Sequence, residues 1–254
     1  MSGDAALSAP DIEAIEHATR DAIPPEHLQT IDGWTLGLDS GTVNRARSAV
    51  PLRHEAPDLA VLDLIEARYA AHGLRAAFRL PVLPAFDDLR AALRARGYAM
   101  KQPTRVMTGR VEALALPLPA APVSLAEAPS TAWNAVFLGE GFDPVDGACR
   151  VGILARARHA VFAGVQAQGQ TMAVGMGSFS RGWASVHGMR TLPAHRGLGL
   201  ASAILAALRQ EARQRGLARM FLQVEAGNTL AVALYQRIGF APAWVYEYWS
   251  QPVD

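Results

Sequence analysis

Apolar residues recur at helical spacing in four segments of the chain, two in each half. In the first half one such pattern ends at Gly73 and a second ends at Gly97. In the second half one ends at Gly216, and another, over about 228–238, ends at Gly239. Spacings of three and four residues place apolar side chains on one helix face, and glycine is a common residue at the end of a helix. The pattern therefore predicts two pairs of helices.

Short apolar runs predict strands around these helices. One run separates the members of each helix pair, at 76–80 in the first half and at 220–224 in the second. Three further runs, at 160–165, 171–180 and 183–191, are separated by turn residues and predict a meander. The repeated order of helix, strand and helix indicates a weak internal repeat. The predicted fold class is α+β, or mixed α/β, with helices flanking a mixed, mostly antiparallel sheet.

A proline-rich segment separates the two halves. Residues 114–123 read LALPLPAAPV, and proline breaks helices and removes N–H donors from sheets. We interpret 114–122 as a linker between a domain at 1–113 and a domain at 123–254. A length of 254 residues fits two domains of ordinary size.

Composition and charge exclude several classes of protein. With 50% hydrophobic and 19% charged residues the chain can bury a core, and its net charge of +1 gives no support to a nucleic-acid partner. The single cysteine, Cys149, excludes an intramolecular disulfide and disfavours a cysteine-rich zinc site, so we expect no metal. Neither a secretory signal nor a membrane-spanning run is apparent. We expect a cytoplasmic monomer or homodimer without a membrane partner.

The segment 191–201, TLPAHRGLGLA, joins a predicted strand to a long predicted helix. Gly197 and Gly199 have no Cβ, so an anionic ligand can approach the main chain where the helix begins. The unpaired N–H groups and the dipole of a helix start both favour a phosphate. Two rival phosphate motifs do not fit, because a dinucleotide fingerprint beginning at Gly197 needs glycine in place of Ser202, and GxxxxGK[ST] does not occur.

This segment and the residues after it form an ordered series. Arg196, Gly199 and Ala201 match Arg-x-x-Gly-x-Gly/Ala, and the elements that follow are Asn228, Ala231, Tyr235 and Gly239-Phe240. The series covers about 123–250 and resembles the GNAT superfamily of acetyl-CoA-dependent N-acetyltransferases.

The resemblance implies that acetyl-CoA binds with its diphosphate on the main chain of the loop. It also implies that the strand before the loop splays from its neighbour, where main-chain groups can pair with the pantetheine amides and stabilise an oxyanion. The residues that it assigns to the cofactor are Met189, Arg190, Thr191, Arg196, Gly197, Leu198, Gly199, Leu200, Ala201, Asn228, Ala231 and Tyr235.

The resemblance also assigns catalytic roles. Tyr235 is the expected general acid, because a phenol with a pKa of about 10 can protonate a leaving thiolate whose thiol has a pKa of about 8.5. Many family members carry a carboxylate base on the strand before the loop, but 183–191 contains none. Two candidates for the base remain open: His187 on that strand, and Glu225 acting through water.

The first half resembles the degenerate first copy of bacterial tandem GNAT proteins. At 41–48, where we place the counterpart of the diphosphate loop, the motif is absent, and Leu93 falls opposite Tyr235 when the copies are aligned on their glycines. We predict that this copy does not catalyse but covers a sheet edge and walls the acceptor pocket. Arg45, Arg47 and Arg53 could attract an anionic acceptor, although arginines on a solvated strand are the commoner arrangement.

The expected function is N-acetyltransfer from acetyl-CoA to a primary amine, by direct attack and with a small-molecule acceptor. Two alternatives stay open: a non-catalytic acyl-CoA binding or sensing module, and acetylation of protein amines. The segment 139–147, with Glu140, Asp143 and Asp146, is expected to be a surface loop that could cover the acceptor site.

Overall fold

The computed structural model describes residues 7–116, 121–139, 141–167 and 169–252. The helices are α1 (Ala9–Ala22), α2 (Val61–Ala70), α3 (Asp87–Ala95), α4 (Thr131–Ala135), α5 (Pro144–Ala155), α6 (Leu200–Gln214) and α7 (Thr229–Arg237). The strands are β1 (His27–Ile31), β2 (Trp34–Leu38), β3 (Ala49–Pro51), β4 (Ala77–Pro81), β5 (Ala99–Arg110), β6 (Val123–Ala126), β7 (Ala160–Ala167), β8 (Gln170–Ser180), β9 (Trp183–Thr191), β10 (Arg219–Glu225) and β11 (Ala241–Ser250). None of the described helices is both long and apolar enough to cross a membrane.

All of these strands form one sheet in the order β1-β2-β3-β4-β11-β5-β10-β9-β8-β7-β6. Only the pairs β3/β4 and β9/β10 are parallel, so the expected mixed, mostly antiparallel sheet with flanking helices is confirmed. Each half contributes its last strand to the other half: β5 lies between β10 and β11, and β11 lies between β4 and β5. The halves are therefore joined by main-chain hydrogen bonds across the centre of the sheet.

The two halves repeat each other around this centre. In each, a parallel strand pair is joined by a helix, α2 in the first half and α6 in the second. The counterpart of the loop before α6 is therefore residues 52–60, between β3 and α2. Our placement of it at 41–48 is wrong, because those residues lie between β2 and β3. The sequence at 52–60, LRHEAPDLA, also lacks the Arg-x-x-Gly-x-Gly/Ala pattern.

The repeat is most exact where α3 and α7 end. Gly97 and Gly239 both have positive φ, 80° and 104°, which glycine adopts without a steric penalty. The residue after each glycine donates to the carbonyl five residues before it, Tyr98 to Leu93 and Phe240 to Tyr235. The ends of both helices are closed in the same way. Leu93 therefore occupies the position that Tyr235 has in the second half.

The segment between the halves is only partly described. Leu114 packs into the core of the second half, and Val123 begins β6. Residues 117–120, the middle of the predicted linker, lie outside the described residues, and so does Glu140. The predicted loop at 139–147 is wrong from Pro144 onward. Pro144 opens α5, and the Asp143 side chain caps it by accepting from the N–H of Asp146 at 2.8 Å.

The strand exchange leads to a prediction about the isolated second half. Residues 121–252 on their own would lack β5, whose residues 104–110 pair with all of β10. The edge of β10 that faces β5 would then leave its N–H and C=O groups open to aggregation, although β10 would keep its pairing with β9. We expect this fragment to show no cooperative unfolding by circular dichroism, and co-expression with residues 1–116 to restore it. A soluble, cooperatively folded fragment would contradict the structural role of the exchange.

Candidate active site

The strands β9 and β10 separate at the centre of the sheet. Their parallel pairing runs from Ala184 opposite Met220 to Val186 opposite Leu222. Beyond that point both strands continue, to Thr191 and Glu225, without pairing to each other. The main chain of β9 after Val186 therefore has a free edge that faces an opening between the strands. The expected splay is present.

A β-bulge changes the direction of β9 where the opening begins. The register against β8 shifts between Val174, opposite Arg190, and Met176, opposite His187. Gly188 sits in this bulge with φ of 59°, and a Cβ there would come within 2.9 Å of Leu154. A Cβ on Gly175 would meet the Met189 sulfur at 2.5 Å. Glycines at these two positions thus allow the main chain around Met189 to turn.

The loop before α6 presents main-chain donors. Gly197 and Gly199 have φ of 80° and 73°, and the position of a Cβ on either is open space. The first backbone hydrogen bond into α6 runs from Ala203 N to Gly199 O at 3.1 Å. The N–H groups of 200–202 consequently have no acceptor within the helix. This helix start has the donors, the dipole and the space that a phosphate group needs.

A cleft of about 710 Å³ runs from this loop toward the splayed strands. Leu198, which is 57% exposed, is the one residue assigned to the cofactor that does not line this cleft. The assigned residues that line it are Met189, Arg190, Thr191, Arg196, Gly197, Gly199, Leu200, Ala201, Asn228, Ala231 and Tyr235.

A second cavity of about 650 Å³ lies on the other side of the opening. The two cavities meet along a shared wall of Met189, Arg190, Asn228, Ala231 and Tyr235. We name the second one the acceptor cavity. The first half supplies a large part of its lining, namely Ile23, Thr42, Val43, Asn44, Arg45, Gln102 and Thr104.

Tyr235 lies at the junction of the two cavities. It is partly buried, and burial raises the pKa of its phenol above the ordinary value of 10, so it stays protonated at neutral pH. Asn228 holds the start of α7, because its side-chain oxygen accepts from the N–H of Ala231 at 3.2 Å. Both residues therefore lie beside the opening, and Asn228 is held there by its cap on α7.

His187 lines the acceptor cavity and is only 3% exposed. Neither of its ring nitrogens has a hydrogen-bond partner in the described part of the chain. Burial, together with the positive charge of Arg45, lowers the pKa of His187 well below 6.5. The imidazole is therefore neutral at physiological pH, and its basic nitrogen is available to a ligand.

Glu225 lines the same cavity but is exposed and already engaged. Gln102 donates to its carboxylate, and Asn44 donates to the Gln102 side-chain oxygen at 3.0 Å. These contacts connect the end of β10 to two elements of the first half. The structure therefore brings Tyr235, His187 and Glu225 to one cavity, with His187 enclosed and Glu225 exposed.

An ion-pair cluster forms another side of the acceptor cavity. Asp146 accepts from Thr42 at 2.9 Å and from Arg150 at 2.6 Å, and Arg190 Nη2 lies 3.7 Å away. Burial opposes the charge on Asp146, but these partners hold its pKa below 3.8. Arg190 also lies 3.9 Å from the ring centre of Phe142. Its side chain is thus occupied, which leaves the main chain for the role assigned to Arg190.

Sequence reasoning did not identify Gln102, Asn44 or Thr42 as site residues. Gln102 has φ of 54° at a register shift between β5 and β11. Pro103, which follows Gln102 inside β5, is the local signal for such a bulge, but the sequence analysis did not predict this strand. Asn44 and Thr42 carry no comparable signal, since their place in the cavity depends on the exchange of strands between the halves.

A family model described as "Probable histone acetyltransferase Rv0428c C-terminal" matches residues 9–249. The chain belongs to this acetyltransferase family. The family match thus extends across both halves of the sheet. "Uncharacterized N-acetyltransferase YobR" of Bacillus subtilis (strain 168) is 36% identical over 76 residues, which are 30% of this chain and 31% of YobR. The aligned segment is therefore less than a third of that relative.

Solved GNAT structures share the fold over almost the whole chain. A GCN5-related N-acetyltransferase from Kribbella flavida has a TM-score of 0.70 and 18% identity, with 96% of each chain covered. A tandem GNAT protein from the clavulanic acid biosynthesis pathway has a TM-score of 0.62 and 16% identity, over 99% of this chain and 92% of that one. At these identities the likeness concerns the fold alone. It supports a GNAT fold that includes the first half.

The buried His187 should make the stability of this family member depend on pH. The unfolded chain binds a proton below about pH 6.5 and the folded chain does not, so the free energy of unfolding should fall as pH drops below about 6.5, by up to ~1.4 kcal/mol per pH unit. We expect His187→Asn to flatten this dependence in urea unfolding between about pH 5 and pH 8.

His27→Asn is the matched control, because His27 is exposed on β1. A smaller slope should remain in His187→Asn, since burial also lowers the pKa of His54. Equal slopes in wild type and His187→Asn would show that His187 does not titrate as described.

Proposed function

We propose that the protein transfers an acetyl group from acetyl-CoA to a primary amine by direct attack. One observation carries the proposal: the start of α6, with its open N–H groups, and the enclosed His187 line two adjoining cavities, and Tyr235 lines both. Diphosphate binding in one cavity would place a thioester near the splay, within reach of an amine in the other.

The loop and the cleft fit the cofactor. The N–H groups of 200–202 and the space beside Gly197 and Gly199 suit the diphosphate, and the free edge of β9 after Val186 suits the pantetheine amides. Acetyl-CoA supplies an activated acetyl carbonyl and a thiol leaving group. The reaction forms one C–N bond and breaks one C–S bond, and the proton that the amine loses balances the one that the thiol gains.

We assign Tyr235 the role of the acid that donates a proton to the leaving thiolate. Its raised pKa keeps the phenol protonated, and its place in the lining of both cavities supports a position near the thioester sulfur. The main-chain N–H groups of β9 beyond the bulge are assigned to the oxyanion, since they have no partner on β10.

We assign His187 the role of proton acceptor, with Glu225 as the second candidate for this role. A neutral imidazole with two unpartnered nitrogens can accept a proton from an amine whose acidity rises as it attacks. Glu225 is bound by Gln102 and is exposed. Its carboxylate suits the binding of an incoming ammonium group at the mouth of the cavity.

The family description names a histone acetyltransferase, which makes protein lysines a second candidate acceptor. The lining has three arginines, Arg45, Arg150 and Arg190, against two carboxylates, and this positive balance does not favour a lysine- and arginine-rich tail. We therefore favour a small amine. A non-catalytic acyl-CoA sensor would need no enclosed proton acceptor, so the unpartnered His187 argues against that alternative.

If the loop before α6 binds the diphosphate, two glycine variants of equal stability should differ in their affinity for coenzyme A. Gly199→Ala and Gly216→Ala both place a methyl group at positive φ, 73° and 70°, in open space. Each should lower stability by about 1 kcal/mol. Only Gly199→Ala should also weaken coenzyme A binding, by about tenfold in calorimetry, because the methyl group occupies the space of the phosphate. Equal affinities in the two variants would exclude the loop as the diphosphate site.

The acid assignment predicts a loss of turnover without a loss of binding. Tyr235→Phe should lower kcat by about 100-fold, and coenzyme A affinity should change less than about twofold. Tyr98→Phe is the control, since Tyr98 is also buried but donates to Glu66 outside both cavities. Free thiol release with a panel of amines measures kcat. A Tyr235→Phe enzyme with wild-type kcat would contradict the assignment.

A further inference from the structure

Arg45 is a positive charge that the proposed chemistry does not use. It lies in the loop between β2 and β3 of the first half and lines the acceptor cavity. No carboxylate of the described residues comes within 4.0 Å of its guanidinium, and its Nε is enclosed without a hydrogen-bond partner. Its polar neighbours are the hydroxyl groups of Tyr246 and Tyr248, which lie within hydrogen-bonding reach of the guanidinium.

The position of Arg45 is held firmly by its main chain. Arg20 is buried and donates at 2.7 Å to the carbonyl of Arg45 and at 2.6 Å to that of Ser48. Burial lowers the pKa of Arg20 to about 10, so it keeps its charge at neutral pH. The main chain from which the Arg45 side chain enters the cavity is therefore fixed without a ligand, and an arginine on a fixed main chain suits an oxyanion.

The other charged groups of the cavity have partners of their own, although the partner of the Glu225 carboxylate is a neutral amide. Asp146 is paired with Arg150 and approached by Arg190, and Glu225 accepts from Gln102. His187, whose pKa the charge of Arg45 helps to lower, is neutral. Arg45 is thus a cation without a carboxylate partner, in the same cavity as an unpartnered imidazole. A partly buried cation without an ionic partner is costly, so this arrangement favours a ligand that brings a negative charge.

Building on the proposed function, we propose that Arg45 binds an oxyanion of the acceptor, so that the acceptor is a small amine that carries a carboxylate or a phosphate. The anion anchors the molecule at Arg45 and the amine lies toward His187. The first half thereby supplies the residue that selects the acceptor for a reaction performed by the second half. The residue that binds and the residue that accepts the proton come from different copies of the repeat.

The test compares acceptors that differ only in the anion. Thiol release from acetyl-CoA is measured with amino acids, with their amides and decarboxylated amines, and with phosphoethanolamine against ethanolamine. We expect kcat/KM for the best anionic acceptor to exceed that of its anion-free counterpart at least about tenfold, because a charge-assisted pair is lost. Comparison of the carboxylate-bearing with the phosphate-bearing acceptors shows which oxyanion is bound. Anion-free amines or a histone peptide as the best acceptors would overturn the inference.

Variants assign the effect to Arg45. Arg45→Gln should raise KM for the anionic acceptor about 10- to 100-fold and leave KM for acetyl-CoA within about twofold, and Arg45→Lys should recover part of the loss. Arg47→Gln is the matched control, since it lies in the same loop but does not line the cavity. Equal effects of Arg45→Gln on anionic and anion-free acceptors, or equal effects of both Gln variants, would overturn the inference.

A binding measurement that does not require turnover distinguishes failure of this inference from failure of the proposed function. Absence of thiol release with every amine would count against the function alone. In that case the melting temperature of the coenzyme A-loaded protein is followed with an amino acid present. A stabilisation that Arg45→Gln abolishes and Arg47→Gln keeps would support the anion site, and no stabilisation of wild type would overturn it.

Discussion

The hydrogen bonds between β5 and its two neighbours, β10 and β11, determine where the site can form. They place the last strand of the first half inside the sheet of the second. The bulge at Gln102 and the loop that carries Arg45 are thereby held against the point where β9 and β10 separate. Because main-chain pairing across the sheet cannot shift by a fraction of a residue, the position of one half relative to the other is fixed.

The electrostatics of the cavity follow from that arrangement. The first half supplies much of the lining of the cavity that holds His187 and places the positive charge of Arg45 nearby. Enclosure keeps the imidazole neutral and the phenol of Tyr235 protonated, the two states that proton transfer from an amine to a thiolate needs. In the proposed reaction, the degenerate copy, which has Leu93 in place of the tyrosine, would contribute surroundings and charge rather than a second reaction centre.

Much of the second half could be predicted from sequence, because its elements are strongly periodic and its phosphate loop is a local motif. The strands at 160–167, 170–180 and 183–191 and the start of α6 agree with the predicted positions to within a few residues. The exchange of β5 and β11 could not be predicted, since it depends on pairing between residues more than a hundred positions apart, and nothing local records it.

For the same reason, the residues that line the acceptor cavity could not be predicted from the sequence. Arg45 and Arg47 have the same local chemistry, and only the tertiary structure turns one toward the cavity. Asp146 was expected in a surface loop because glycines surround it, yet Asp143 and Pro144 begin a helix there. The loop before α6 could be found from sequence because its residues form one continuous motif. The residues that line the acceptor cavity come from separate elements and form no such motif.

A crystal structure of the protein with coenzyme A and an amino acid tests the central claim most directly. The account predicts the diphosphate on the N–H groups at the start of α6, the sulfur in the opening between β9 and β10 at about 3 to 4 Å from the Tyr235 hydroxyl, and the amino acid between Arg45 and His187. A diphosphate bound away from that loop, or a sulfur directed away from the cavity that both halves enclose, would contradict it.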